Sequence, residues 1–337
     1  MLTLSPDEKL DFSDVLLLPR VSDHLSIRSR SEIDLERDGA VPLIVANMDT
    51  IGTFDFAQHL LPYRIQVALL KDFDVETWRR EVEIKNLDPR LLIPTMGTRD
   101  IEAEVSKIKQ LLSHFPTIKM VCLDVANGYL PSVAYAVRKI RDALPSSVKI
   151  CAGNVVEESG MIHLANAGAN VIKIGIGSGG VCLTRRMTGV GFPQFSAVQE
   201  LSKLARELNV EIISDGGITS PGDMAKAYAA GADYVMSGSY FAGHEETGQR
   251  FHGMSSDRSR TDRKEHLEDY RASEGREVVL HNKGSIAHTI RGVLGGLRSA
   301  CTYLGVEKLE DLKDANLKAI RVHHQINPIS GVKSETN

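Results

Sequence analysis

The most reactive arrangement in this sequence is a cysteine in a glycine-rich stretch, GIGSGGVCLTRRMTGVGFPQ (175–194), where glycines 175, 177, 179 and 180 lead into Val181, Cys182, Leu183 and Thr184. A thiol in an exposed, pliant loop beside Arg185 and Arg186 can ionise and attack, because the thiolate is the nucleophile and nearby cations favour it. The other cysteines read differently. Cys122 and Cys151 fall inside apolar runs and Cys301 in a late helical stretch, where cysteine behaves as a small buried hydrophobe. Four cysteines in 337 residues with no CxxC pairing form neither a disulfide framework nor a zinc site, so reduced thiols are expected.

Other polar groups follow apolar runs in the same way. Asn47, Met48 and Asp49 follow VPLIVA, Lys71 follows IQVALL, Asp124 follows VCL, and Asn154 follows VKICAG. A Lys and an Asp meeting at one end of a sheet can be a static ion pair or a proton-handling pair. Gly216, Gly217, Gly238 and Ser239 lie in SDGGITSPGD and MSGSYFAG. Glycines there either make tight turns or let backbone amides approach a bound anion.

These positions make sense only on elements that bring them to one place. Eight short apolar runs recur: VPLIVA (41–46), IQVALL (65–70), RLLIPT (90–95), IKMVCLDV (118–125), VKICAG (148–153), NVIKIG (170–175), VEIISD (210–215) and DYVMSG (233–238). Strands apolar almost throughout are expected where both faces are covered. Between them, VETWRREVEIK, DIEAEVSKIKQLLSHF, LPSVAYAVRKIRDAL and AVQELSKLAREL carry apolar residues at three- and four-residue intervals, the helical pattern. Eight strand–helix repeats predict an α/β fold, a single closed (β/α)8 TIM barrel, with an open doubly wound sheet as the rival. A minimal barrel needs ~250 residues, so the surplus is informative. It lies in an N-terminal extension (1–40), in the cysteine loop (176–193), in an excursion after the eighth run (241–283) and in a tail (326–337) expected to be flexible. Barrel active sites form from loops at the carboxyl ends of strands, so both internal excursions should overhang the site, within one domain spanning 1–337.

A formal charge of −4 offers no electrostatic reason to expect nucleic acid. No apolar run approaches the ~18–20 residues needed to cross a bilayer, and MLTLSPDEKLDF has acidic residues where a signal peptide is apolar, so a cytoplasmic protein without membrane contact is expected.

Motifs along nearly the whole chain carry a resemblance: LDFSDVLL (10–17), IVANMDTIGTF (44–54), CLDVANGY (122–129), AGNVV (152–156), TGVGFPQFSAV (188–198), IISDGGITSPGD (212–223), GMSSD (253–257), YRASEG (270–275) and GGLRSACTYLG (295–305). In these the chain resembles the IMP dehydrogenase and GMP reductase family, and its reductases most. The resemblance implies a barrel assembled as a homotetramer. It also implies NADPH-dependent reductive deamination of GMP to IMP through a covalent adduct of Cys182 with the purine. By motif, Thr184 and Glu274 match the pair that handles the proton for departing ammonia, and Lys71 and Asp124 a second polar pair beside the reaction centre. Met48, Gly180, Asp215, Gly216, Gly217, Gly238, Ser239, Met254 and Arg271 match the nucleotide site, and Lys71, Ser255, Arg271 and Glu274 the cofactor site. Backbone carbonyls of Gly177, Gly179 and Cys182 match those that can hold a potassium ion.

Two features favour reductase over an NAD-dependent dehydrogenase making XMP. About twenty residues separate the second and third runs, too few for inserted regulatory modules, and EHLEDYRASEGREVVLHNKG reads Tyr-Arg where dehydrogenases have Arg-Tyr. A relative acting on a modified or deoxy purine nucleotide, and a non-catalytic nucleotide binder, are the alternatives. The chain departs from the family pattern at Ser178-Gly179-Gly180, where Pro-Gly-Ser is usual, and at Leu183, Leu70 and Asp72. Ser239 is expected to supply, from across the site, the hydroxyl that Gly180 lacks.

Overall fold

The computed structural model describes residues 7–21, 29–262 and 272–322. The eight apolar runs form eight barrel strands: β1 (Val41–Val45), β2 (Ile65–Ala68), β3 (Leu92–Ile93 continued by Thr95–Met96), β4 (Met120–Leu123), β5 (Lys149–Val155), β6 (Val171–Ile174), β7 (Glu211–Asp215) and β8 (Tyr234–Ser237). Each pairs in parallel with the next, and β8 returns to β1 with Val235 opposite Leu43 and Met236 opposite Ile44. That last pairing closes the sheet, so the fold is the barrel and not the open sheet.

RLLIPT differs from the expectation of one unbroken strand. Pro94 has no amide to give a ladder, and it divides β3 into a half paired with β2 and a half paired with β4. Closure survives because Pro94 still accepts from Cys122 N at 2.9 Å while Leu69 N donates to Ile93 O at 2.9 Å.

Each strand is followed by a helix: α1 (Phe54–Leu60), α2 (Val75–Ile84), α3 (Ile101–His114), α4 (Pro131–Ala143), α5 (Glu158–Asn166), α6 (Gln194–Glu207), α7 (Pro221–Ala229) and α8 (Ile286–Leu304). Their starts are written in the sequence. Asp74, Asp100 and Ser220 accept from the third following amide, and Pro131 and Pro221 occupy first-turn positions that need no donor. Every residue of β1, β2, β4, β6 and β8 is buried, as expected of strands with side chains inside the barrel and under helices. The N-terminal extension packs Phe12 against Phe195 and pairs Val15–Leu17 with Ala319–Arg321. The tail expected at 326–337 lies outside the described residues. No helix among the described residues is long and apolar enough to cross a membrane.

Candidate active site

The carboxyl ends of the strands open into a cavity of about 1370 Å³, walled by the cysteine loop, the turns after β7 and β8 and the excursion beyond β8. Both long internal excursions overhang the site, as expected.

Cys182 is half-buried on the wall, the other three cysteines are buried, and none is in a disulfide. Its loop is stitched to the excursion after β8. Leu183 N donates to Glu274 O at 2.7 Å and Arg276 N to Val181 O at 3.0 Å, making an antiparallel bridge between Cys182 and Gly275. The stitch brings together groups ninety positions apart. Cys182 Sγ lies 3.2 Å from Thr184 Oγ1, which donates to Glu274 Oε2 at 2.7 Å. Thiol, hydroxyl and carboxylate form a chain along which a proton can leave the sulfur. Arg185 does not play the part expected of it: it turns away to Asp11 at 3.3 Å and to the Phe192 carbonyl, while Arg186 is exposed. The group beside the thiol is Thr184.

Across the cavity, Lys71 Nζ meets Asp124 Oδ2 at 3.3 Å, and Lys107 Nζ holds the Lys71 carbonyl at 2.8 Å. Asp215 Oδ2 accepts from Asn154 Nδ2 at 2.9 Å, which also donates to Gly175 O at 2.8 Å, so Asn154 fixes that carboxylate against the start of the cysteine loop.

The glycine turns are constrained by close approach. Gly216 has φ +89°, and a Cβ there would stand 2.6 Å from Ser178 Oγ; one on Gly238 would stand 2.4 Å from Met48 Sδ. A Cβ on Gly180 would stand 2.9 Å from Ser239 Oγ, so positions 180 and 239 share room for one polar side chain.

Met48, Gly177, Gly179, Met254 and Ser255 also line the cavity. Gly217 does not; its amide donates to Ser178 O at 3.0 Å and ties the β7 turn to the cysteine loop. Arg271 lies outside the described residues. The Gly179 carbonyl already accepts from Cys182 N at 3.0 Å.

Reading the residues missed Lys173. It is 4% exposed, in the middle of β6, yet it reaches the cavity floor. Gly153 on the adjoining strand makes room, since a Cβ there would meet Lys173 Cβ at 2.7 Å. Burial works against the ammonium, but the neighbouring Cys122 thiol and the carboxylates of Asp215 and Asp124 more than offset it, and its pKa is raised. The available signal was a lysine inside an otherwise apolar run, NVIKIG.

A family profile described as the IMP dehydrogenase / GMP reductase domain matches residues 9–327. The chain is 42% identical to proteins named GMP reductase from Citrobacter koseri, Shigella flexneri and Escherichia coli O157:H7, in alignments covering 97% of this chain and 98% of each relative.

Proposed function

Because this chain belongs to the IMP dehydrogenase / GMP reductase family, we propose that it catalyses the reductive deamination of GMP: GMP, NADPH and two protons give IMP, ammonium and NADP+. The observation that carries this reading is the unbroken contact from Cys182 through Thr184 to Glu274 on the wall of a cavity large enough for a nucleotide and a second ligand. The names of the relatives support the substrate.

The residues have distinct tasks in this reading. Cys182 loses its proton along Thr184 to Glu274 and its sulfur bonds to carbon 2 of the purine. The 2-amino group then leaves as ammonia, having taken a proton from the same relay. NADPH, when bound, supplies the hydride to carbon 2; the carbon–sulfur bond then breaks, returning the thiolate and releasing IMP. Dividing the displacement in this way spares the site a direct substitution on an aromatic ring. Lys71 and Asp124 hold a second exchangeable proton beside the reaction centre, and Lys71, Ser255 and Glu274 face the dinucleotide. Asp215 accepts from the ribose hydroxyls, the turns at Gly216 and Gly238 admit the phosphate to backbone amides, and Ser239 adds a hydroxyl. Gly180 leaves room for it, Gly217 braces the turn, and Met48 and Met254 border the nucleotide. Carbonyls of Gly177, Gly179 and Cys182 are the groups that would hold a potassium ion. A cytoplasmic homotetramer goes with this reading.

Loss of NADPH absorbance on adding GMP tests the proposal, with native mass spectrometry for the assembly. Cys182→Ala should lose turnover while still binding nucleotide, and the mass of the native chain trapped during turnover should rise by a purine nucleotide. Formation of NADH from IMP instead, or turnover by Cys182→Ala, overturns it.

A further inference from the structure

A second polar cluster lies just outside the reaction centre. The Asp49 carboxylate, in the loop after β1, takes two donors on one oxygen: His252 Nε2 at 2.9 Å and Ser259 Oγ at 2.6 Å. His252 and Ser259 are both buried, at 7% and 0% exposure, although they belong to an excursion on the barrel's surface.

These partners bracket a functional stretch. His252 ends the short strand Arg250–His252 and Ser259 lies in the helix Asp257–Asp262; between them, Met254 and Ser255 line the cavity. Neither element supports itself. A six-residue helix is far below the length at which an isolated helix persists, and the strand's one partner is Glu277–Val279, in a two-stranded ribbon of the kind that is marginal alone. The segment therefore depends on fixed points of the barrel. Among the described residues, Phe251, 1% exposed, is an apolar one, and Asp49 is a polar one.

We propose that Asp49 is a positioning residue for dinucleotide binding: by clasping His252 and Ser259 it fixes Met254 and Ser255 over the cavity. The inference rests on the reading of Ser255 as part of the cofactor site. Its consequences fall unevenly on the two ligands. The mononucleotide's phosphate and ribose are assigned to turns after β7 and β8 that the clasp does not touch, so it loses only the Met254 contact, whereas the dinucleotide loses a wall when the segment loosens.

The test uses the full chain with Asp49→Ala and Asp49→Asn. In hydrogen exchange followed by mass spectrometry, Asp49→Ala should speed exchange across 250–262 and leave β4 to β6 unchanged, with no ligand needed. In kinetics, KM for NADPH should rise about tenfold, the loosened segment passing on most of the worth of one hydrogen bond to a charged group, while kcat changes little and GMP affinity, which depends on this segment only through Met254, falls by clearly less. Asp49→Asn, which keeps an acceptor oxygen, should fall between. Ser259→Ala, which leaves Asp49 in place, is the second variant should Asp49→Ala not fold, and the same pattern in weaker form is expected of it. Unchanged exchange at 250–262 removes the clasp. Faster exchange with unchanged KM for NADPH, or an equal loss for both ligands, removes the positioning role. Failure of the native chain to oxidise NADPH with GMP overturns the proposed function and with it the cofactor role, while the exchange result still decides the clasp.

Discussion

A thiol becomes a nucleophile only where its proton has somewhere to go, and that distinguishes Cys182 from the other three cysteines. Cys122, 1% exposed, is out of a ligand's reach although its neighbour Cys151 lowers its pKa, and burial raises the pKa of Cys151 and, to about 12, that of Cys301, whereas Cys182 faces the cavity and a hydroxyl backed by a carboxylate. The reading also crowds anions into one cavity: a phosphate, a thiolate and the carboxylates of Asp124, Asp215 and Glu274. Lys173 is the fixed cation on the floor beneath Asp124 and Asp215. Because its pKa is raised, it stays charged across the neutral range and titrates only in strong base. Lys173→Met keeps the bulk and removes the charge. Asp124 and Asp215 then lose the cation they share, the anions of the cavity are left uncompensated, and kcat/KM should fall about tenfold. An unchanged kcat/KM in steady-state kinetics would reduce Lys173 to packing.

Elements decide which residues meet, and here legibility divides. The strands were readable because burial on both faces leaves a contiguous apolar run, and the helices because their caps and three-to-four spacing are local. The break in β3 was not foreseen: Pro94 is its local signal, but the apolar run around it concealed the interruption. Cys182, Lys71 and Asp124 could be picked out by their place after an apolar run or in a glycine-rich loop. The Thr184–Glu274 contact could not, because it depends on backbone pairing between loops after β6 and β8, which leaves no local pattern; only the family resemblance suggested it. The clasp at Asp49 was equally hidden. Contacts between loops are thus the blind spot, and the pair Gly180 and Ser239 is a test of one. Ser239 Oγ occupies the room that a side chain at 180 would need. Ser239→Gly should weaken nucleotide binding about tenfold, the usual worth of a hydrogen bond to a charged group. Gly180→Ser alone should also weaken it, through crowding. The double variant should recover most of the loss, because one hydroxyl again fills the shared space; calorimetric titration would show additive losses instead if the sites are independent.

Across the whole molecule, chemistry and stability are divided between the two ends of the barrel. The amino-terminal end is closed by an ion-pair network joining β5 and β7 to flanking segments. Arg37 pairs with Glu211 and, at 3.3 Å, with Asp233; Lys149 reaches Glu211 at 2.7 Å and Lys313 reaches Asp233 at 2.6 Å. Arg37 and Lys149 also flank the ring of Tyr234, at 5.3 and 5.7 Å from its centre. Side chains of Arg37 and Glu211 are 20% exposed, so the network lies between a surface pair, worth at most about 1 kcal/mol, and a buried pair whose disruption costs about 3–5 kcal/mol. Removing Arg37 strips two carboxylates of a shared partner while leaving each a lysine. Arg37→Ala should therefore cost about 2 kcal/mol and several degrees of melting temperature in a chain of this size. No residue of this network lines the cavity, so kcat and both KM values should remain at native levels. Calorimetry beside steady-state kinetics gives both numbers, and a loss of kcat/KM in proportion to the loss of stability would show that the two ends are coupled through the barrel.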